Sequence, residues 1–405
     1  PELDGGVYAY AKAGFGDYMG FSSAWGYWIS AWIGNVSYMV LLFSTLGYFF
    51  PVFGEGNTLP AVICASVLLW LLHFLVLRGI KEAAFINTVT TIAKMVPLIV
   101  FCVAVLLAFN METFTLDIWG QGNTELGSVM DQVKSTMKVT LWVFIGIEGA
   151  VVVSARARHR KDVGRATVLA LLGALALYVM VTLFSLGVMN QPQLAALKNP
   201  STAMILEAVV GPWGAWLINI GLVISVMGAL LSWTVLAAEV PYIAGKTGVF
   251  PGWFAKENKN GSPQVSLWCS TCLVQAFLII IYFQSSTYLA LVNIATSAAL
   301  VPYVFSGAYG LKLALQGTTY EHQPHQRKRD LLLALVATVY GCWLVYAAGV
   351  EYLLLSLLLY GPGLLLFLYS RRQLGDELRL SGRERLLAGI TLVSLIPALW
   401  SFASP

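Results

Sequence analysis

The sequence predicts an all-α membrane protein, a polytopic bundle of about eleven membrane-spanning helices. Hydrophobic residues make up 58% of the 405-residue chain and charged residues only 11%, whereas a soluble domain usually contains about 25% charged residues. The apolar residues also fall into runs close to the ~20 residues that an α-helix needs to cross a bilayer. The candidate spans are 18–50, 60–77, 85–109, 139–154, 166–190, 213–238, 264–283, 287–311, 331–348, 351–369 and 386–402.

The Lys and Arg residues divide unevenly between the two sides of this threading. Most of the 24 lie in the even-numbered connections or, like Lys12, ahead of the first span. The opposite side has only Lys134, Lys138 and Lys198. Because cytoplasmic loops are enriched in Lys and Arg, the basic side is predicted to be cytoplasmic. The net charge of +4 therefore indicates topology and contact with anionic lipids, and no nucleic acid partner is expected.

The chain is expected to form a single transmembrane domain over residues 1–405, because no connection between spans exceeds about 30 residues. Residues 372–385 are predicted to be a basic cytoplasmic connection before the last span, 386–402.

No enzyme signature accompanies the spans. The sequence contains no Walker loop, dinucleotide fingerprint or His-Glu-x-x-His motif, and none of the four histidines is placed to share a catalytic site in the bundle. Cys269 and Cys272 form a C-x-x-C pair inside an apolar span, which we interpret as small packing residues. We therefore expect neither catalysis nor a cofactor or metal.

The first and third spans each contain one polar residue whose burial in the membrane costs free energy. Asn35 lies in the first span, where an interhelical hydrogen bond is the structural alternative to a functional role. Lys94 is the twelfth residue of the apolar run Ala83–Phe109, about 16 Å along a helix that rises 1.5 Å per residue. An ionisable group near the middle of a membrane is a functional candidate, although a helix that starts one turn later would let Lys94 reach water.

Glu148 in the fourth span predicts a broken helix. It lies in mid-span close to Gly146 and Gly149, and glycine weakens a helix. Unwound backbone at membrane depth is tolerated where it lines a cavity, and transporters use it to bind substrate. The alternative is a continuous helix with a buried, protonated glutamate.

Two tryptophans lie in mid-span, away from the interfaces that tryptophan prefers. Trp142 precedes Glu148 by six residues, and Trp233 follows a stretch of small residues in the sixth span. In a cavity an indole face attracts a guanidinium or ammonium group. Ordinary core packing is the alternative for either residue by itself.

Five segments in order and spacing resemble the amino acid–polyamine–organocation superfamily, and within it the arginine/ornithine branch of the basic amino acid antiporters. They are Glu-Leu-Asp-Gly-Gly-Val-Tyr-Ala-Tyr (Glu2–Tyr10), Ala-Trp-Ile-Gly-Asn (Ala31–Asn35), Leu-Trp-Val-Phe-Ile-Gly-Ile-Glu (Leu141–Glu148), Arg-Lys-Asp-Val-Gly-Arg-Ala (Arg160–Ala166) and Ser-Trp-Thr-Val-Leu-Ala-Ala-Glu-Val-Pro (Ser232–Pro241). The resemblance covers essentially the whole chain.

The resemblance implies a five-plus-five inverted-repeat fold of the leucine-transporter type, with alternating access around a site at the membrane midplane. In a related arginine/agmatine exchanger, the positions that match Asn35, Trp142, Ile145 and Trp233 contact the guanidinium end of the substrate or its aliphatic arm. The position matching Trp142 also closes over the substrate, and the one matching Glu148 belongs to the inner gate.

The same resemblance also bears on Tyr38, on Lys94 and on the start of the chain. Tyr38 takes a place held by methionine in the exchanger, so the side-chain pocket is expected to differ. A lysine on the helix of Lys94 stands in the superfamily where sodium binds in sodium-coupled relatives. The chain lacks the first two family helices, so we expect it to be a fragment of a longer protein.

The predicted function is exchange of arginine for ornithine in the bacterial inner membrane, among membrane lipids, and the resemblance leaves a homodimer open. The same fold would also suit exchange of lysine for cadaverine or of histidine for histamine. A non-transporting membrane sensor or scaffold is the alternative of another class, and it would be expected to have a soluble domain or a long regulatory tail.

Overall fold

The computed structural model describes most of the chain. The described residues are 6–79, 83–117, 119–120, 122–148, 160–284, 288–320, 324–373 and a few isolated positions beyond 381. Within them, regular structure is helical apart from a single bridge between Glu257 and Pro263, which confirms the predicted all-α class.

The helices alternate between long, apolar elements and short connecting ones. The α-helices are α1 (Val7–Phe15), α2 (Asp17–Gly47), α3 (Leu59–Leu77), α4 (Ala83–Leu107), α5 (Met111–Thr115), α6 (Val129–Trp142), α7 (Arg160–Leu186), α8 (Gln191–Ala195), α9 (Ser201–Val210), α10 (Pro212–Lys246), α11 (Gln264–Gln284), α12 (Tyr288–Gln316), α13 (Pro324–Ala348) and α14 (Val350–Gln373). Short 3-10 helices lie at Pro51–Phe53, Thr124–Leu126, Gly252–Ala255 and Thr318–Tyr320.

Among the described residues, 8 helices are long and apolar enough to cross a membrane. They are Asp17–Gly47, Leu59–Leu77, Val89–Leu107, Val163–Leu186, Pro212–Lys246, Gln264–Phe283, Tyr288–Gln316 and His325–Ala348. Each coincides with a predicted span, and α14 covers a ninth, 351–369. The predicted span 386–402 and the connection 372–385 lie almost entirely outside the described residues.

Helix α2 is at the centre of the bundle. Of its most apolar window, 83% is buried, and two of its indoles are bonded to different helices. Trp25 donates to the carbonyl of Leu359 on α14 at 2.9 Å, and Trp28 donates to the hydroxyl of Ser270 on α11 at 2.8 Å. Since a buried indole N–H needs an acceptor, these bonds fix α2 between its neighbours.

Helix α12 packs along α2 in the opposite direction. Phe15, just before α2, contacts Phe305 with ring centroids 5.1 Å apart. Further along α2, a side chain at Gly26 would lie 2.5 Å from the carbonyl oxygen of Ala298. Residue numbers therefore rise along α2 in the direction in which they fall along α12, so the two helices are antiparallel. The missing Cβ of Gly26 permits this close approach of two backbones, which positions α12 beside the functional site.

Helix α10 packs on α4 in a similarly close way. A Cβ at Gly221 would lie 2.4 Å from the Pro97 ring, and one at Gly228 would lie 2.6 Å from the Thr90 hydroxyl. Glycines thus let α10 approach α4, as small residues do at interfaces between membrane helices.

Candidate functional site

Helix α6 ends at Trp142, the fourth residue of the predicted fourth span, 139–154. It begins with a capping box in which the Ser128 hydroxyl accepts from the Asp131 N–H, and the Asp131 carboxylate accepts from Ser128. The side-chain and backbone hydrogen bonds from Ser128 lower the pKa of the Asp131 carboxyl below its ordinary value. The capped start and the end at Trp142 fix where this tryptophan lies.

Residues 143–148 form turns instead of continuing the helix. Gly146 has φ +109°, which residues with a side chain rarely adopt. The break frees backbone groups at membrane depth, and the Tyr178 hydroxyl of α7 donates to one of them, the Val143 carbonyl, at 3.0 Å. The alternative interpretation, a continuous helix over 139–154, is therefore wrong, and the predicted break is confirmed. Residues 149–154 lie outside the described part of the chain.

The carboxylate of Glu148 is the acceptor around which the break is organised. The hydroxyl of Tyr27 on α2 donates to its Oε1 at 2.7 Å, and the N–H of Gly146 lies 3.1 and 3.0 Å from its two oxygens. The Tyr303 hydroxyl of α12 lies beside the same carboxylate and beside the Gly146 backbone. Glu148 thus joins the broken segment to α2 and lies beside α12.

Sequence reasoning missed Tyr27 and Tyr303. Both lie in the middle of long apolar spans, away from the interfaces where tyrosine is common, and Tyr27 is only 2% exposed. Their mid-span positions could have identified both tyrosines as candidates. However, the partner of Tyr27 lies 121 residues away, and no local pattern identifies it.

The predicted aromatic residues come together beside this carboxylate. The six-membered ring of Trp142 lies over Gly34 of α2, where a Cβ would be 3.1 Å from its Cη2 atom. Tyr38, one turn further along α2, faces Trp142 with ring centroids 5.7 Å apart. Trp233 of α10 lies over the break itself, 3.2 Å from where a Cβ on Gly146 would be.

The Tyr38 hydroxyl also lies close to the Trp233 indole, so Tyr38 links the two tryptophans. Ile145, within the break, is partly buried and packs against the main core. The apolar aromatic surface of this cluster, lying next to a carboxylate, suits the aliphatic arm and cationic end of a basic side chain.

Asn35 contributes an unpaired acceptor. It follows Gly34 on α2, its side chain is 3% exposed, and its Oδ1 has no hydrogen-bond partner among the described residues. Buried amide oxygens are normally paired. The interhelical hydrogen bond that would explain Asn35 without a function is therefore not seen for this atom.

Lys94 lies apart from this cluster. It is on α4 between Thr90 and Pro97, which both pack on glycines of α10, and its side chain is exposed. Among the described residues, no hydrogen bond or ion pair joins it to Glu148 or to the tryptophans. Its functional role remains a prediction.

Replacing Gly146 with alanine is expected to destabilise the break. A non-glycine residue in such a left-handed conformation costs about 1–3 kcal/mol, and the new methyl group would press on the Trp233 ring at 3.2 Å. We expect a lower melting temperature in detergent by thermal-shift measurement. Gly173→Ala is the matched control, because a Cβ there has nothing within 4 Å. Equal melting temperatures of the two variants would contradict the prediction.

The chain is similar over almost its whole length to known bacterial proteins. The chain is 56% identical over 405 residues to the arginine/ornithine antiporter of Pseudomonas aeruginosa, a match covering 98% of this chain and 84% of that protein. It is 48% identical to the putative arginine/ornithine antiporter of Escherichia coli K12, covering 99% and 85%. It is 40% identical to the arginine/agmatine antiporter of Chlamydia abortus, covering 99% and 84%.

These relatives are bacterial, and together with the apolar helices they indicate a multi-pass protein of the bacterial inner membrane. Residues 1–373 match the sequence model of the amino acid permease family. The match takes in α1 to α14 and every residue of the cluster around Glu148, so the chain belongs to the amino acid permease family.

Proposed function

We propose that this protein is a secondary transporter that exchanges cationic amino acids, arginine for ornithine, by alternating access. The observation that carries the proposal is the broken segment after α6, where Glu148 and two tryptophans meet around α2. A cationic side chain needs an aromatic face, acceptor oxygens and a nearby negative charge, and this site offers all three. The names of two similar relatives, both given as arginine/ornithine antiporters, support the choice of substrates.

In this proposal the substrate side chain lies between Trp142 and Trp233. The indole faces attract its cationic end, the Oδ1 atom of Asn35 accepts one of its N–H groups, and Ile145 contacts its aliphatic arm. Trp142 closes over the substrate from the end of α6. No chemical step is required of the protein.

Glu148 acts as a gate on the basic side of the bundle. Its bond to Tyr27 joins the broken segment to α2, and it must open for the substrate to leave. Charge-assisted hydrogen bonds of this kind are roughly twice as strong as neutral ones, so the bond between Tyr27 and Glu148 stabilises the closed state of the gate.

The basic end of the bundle is closed by further contacts. Arg371 of α14 bonds to Asp17 at the start of α2 at 2.6 Å, and Lys312 of α12 donates to the Gly14 carbonyl at 2.5 Å. Because a partly exposed ion pair contributes little, the Arg371–Asp17 contact can separate during exchange. The two contacts link the first two helices to the elements that flank the gate.

The direct test is exchange by the full-length protein reconstituted into liposomes loaded with ornithine. Uptake of radiolabelled arginine is measured in competition with unlabelled arginine, ornithine, lysine, cadaverine, histidine, histamine and agmatine. Strong competition by arginine and ornithine alone supports the proposal. Lysine and cadaverine as the best competitors would favour the alternative that a relative named as an L-lysine transport protein suggests at 42% identity, and histidine with histamine would favour the other pair. No uptake of radiolabelled arginine, and none when radiolabelled lysine or histidine replaces it, would favour a sensor or scaffold.

Lys94→Met is expected to slow exchange at every pH. We propose that the ammonium group is a fixed cation that stabilises one conformation, since exchange of one cationic amino acid for another needs no proton. The measurement is the pH profile of arginine uptake, with Lys198→Met as a control, because Lys198 is 82% exposed in a surface pair with Glu55. A flattened pH profile would instead assign proton transfer to Lys94, and unchanged activity with an unchanged profile would leave only a lysine that reaches water.

A further inference from the structure

The connection between α10 and α11 folds back on itself and caps the end of α3. The Asn258 N–H donates to the Ser262 carbonyl, and the Asn258 Oδ1 accepts from the Ser262 N–H, each at 2.9 Å. The Asn258 Nδ2 then donates to the Leu77 carbonyl at 2.6 Å. The Ser262 hydroxyl donates to the Val76 carbonyl at 2.9 Å. Both carbonyls are in the last turn of α3, where a helix leaves carbonyls without a regular partner. The segment 256–263, termed the capping hairpin, is therefore fixed against α3.

Three exposed cations lie where the capping hairpin meets α3. Lys256 and Lys259 belong to the hairpin, and Arg78 is the residue at which α3 ends. The two segments touch directly, because a Cβ on Gly79 would lie 3.6 Å from the Asn260 carbonyl oxygen. Among the described residues, no carboxylate pairs with any of the three cations.

The acidic residue of the capping hairpin is bound on its other side. Glu257 pairs with Lys246 of α10 at 3.0 Å and also accepts from the Tyr242 hydroxyl of that helix. Its negative charge is therefore compensated at α10. The side of the hairpin next to α3 is left with a net positive charge.

Aromatic rings on α3 and α11 lie next to these cations. Phe74 precedes Arg78 by one helical turn, and Trp268 is the fifth residue of α11. The His73 ring lies between them, with centroids 5.3 Å from Phe74 and 4.4 Å from Trp268, and a hydrogen bond of 2.8 Å joins it to the Thr271 hydroxyl. Phe74 is 50% and Trp268 is 38% exposed. The ring cluster is thus held in place from within and offers its outer surface to the membrane.

This order of cations, rings and apolar side chains matches an anionic phospholipid. Lys and Arg clusters at the cytoplasmic ends of membrane helices bind acidic headgroups, and tryptophan prefers the level of the headgroups. Deeper along α3, Leu75 and Leu71 are 43% and 63% exposed, and they continue the same surface towards the acyl chains. A soluble anion would use only the cations, so the apolar part of the surface favours a lipid.

We propose that Arg78, Lys256 and Lys259 bind the phosphate headgroup of an anionic phospholipid in the cytoplasmic leaflet. Its acyl chains then lie along the outer surface of Phe74 and Trp268. The charge of the basic side attracts anionic lipids in general, whereas this site also has a fixed shape, because the capping hairpin is bonded to both α3 and α10.

The test is binding of phosphatidylglycerol to the purified full-length protein in detergent, followed lipid by lipid by native mass spectrometry. The variant combines Arg78→Gln with Lys259→Gln. Each Lys or Arg near an anionic headgroup contributes about fivefold in affinity, so the dissociation constant of the first bound lipid should rise about twenty-five-fold. Phosphatidylcholine should bind the wild type much more weakly, because its headgroup has no net charge.

The matched control combines Arg372→Gln with Lys328→Gln. It removes the same two residue types from exposed positions elsewhere on the basic side, and the dissociation constant of the first bound lipid should be unchanged.

An unchanged dissociation constant in the Arg78 and Lys259 variant would overturn the inference. An equal rise in the control variant would also overturn it, by assigning the binding to the overall charge of the basic side. Equal binding of phosphatidylcholine would exclude headgroup recognition, and displacement of the lipid by soluble glycerol phosphate would assign the cations to a soluble anion. None of these measurements involves an amino acid, so their outcome does not depend on the proposed exchange.

Discussion

Glu148→Gln is expected to slow arginine–ornithine exchange by about ten- to a hundredfold, because hydrogen bonds to a charged group contribute about 1.5–3 kcal/mol. The carboxylate accepts from the Tyr27 hydroxyl and from the Gly146 N–H, which approaches both of its oxygens. Glutamine keeps the shape but loses the charge and replaces one acceptor with a donor. Its amide group would face one of these donors. The measurement is the initial rate of radiolabelled arginine uptake into liposomes loaded with ornithine.

Tyr27→Phe is the matched variant, since it removes the donor and leaves the carboxylate. We expect a smaller loss of rate, and the double variant should be no slower than Glu148→Gln, because both changes break one gate contact. Wild-type exchange in Glu148→Gln would make the carboxylate a structural acceptor for the Gly146 turn and would remove the gate from the proposal.

Trp233→Leu is expected to weaken arginine binding about five- to thirtyfold, which corresponds to about 1–2 kcal/mol for a cation–π contact in a desolvated site. The loss should fall on binding more than on folding, since the Trp233 side chain is only partly buried. Its ring covers Gly146, so leucine leaves the break in place and removes the aromatic face. Arginine titration by calorimetry and a melting curve of the same sample separate the two effects.

The control is Trp216→Leu, the same substitution on the same helix. Trp216 is 53% exposed, so its removal should leave the arginine dissociation constant unchanged. If both variants bind arginine as the wild type does, Trp233 has no part in the substrate site. If both weaken it equally, the effect comes from α10 as a whole.

The class of the protein and the location of its main break could be predicted from the sequence, because both depend on local properties. Hydropathy over ~20 residues indicates a span whatever the span packs against. The glycines around Glu148 weaken any helix that contains them. The mid-span positions of Trp142, Trp233 and Asn35 identified them as candidates for the same reason, since each residue type is unusual at that depth.

Contacts between distant segments needed the tertiary structure. Helical periodicity places Tyr27 on a face of α2 but does not say that this face meets a carboxylate from residue 148, nor that Trp142 lies over Gly34. It likewise gives no reason to separate Ser30 from Ser37, two serines of α2. Only the packed structure shows that the Ser37 hydroxyl bonds to the Gly34 carbonyl, whereas the Ser30 hydroxyl has no partner among the described residues. The sequence by itself determined which elements form and which residues are costly in a membrane. The tertiary structure decided which of them meet, because pairing between helices depends on close approaches such as Gly26 to Ala298 that no local pattern encodes.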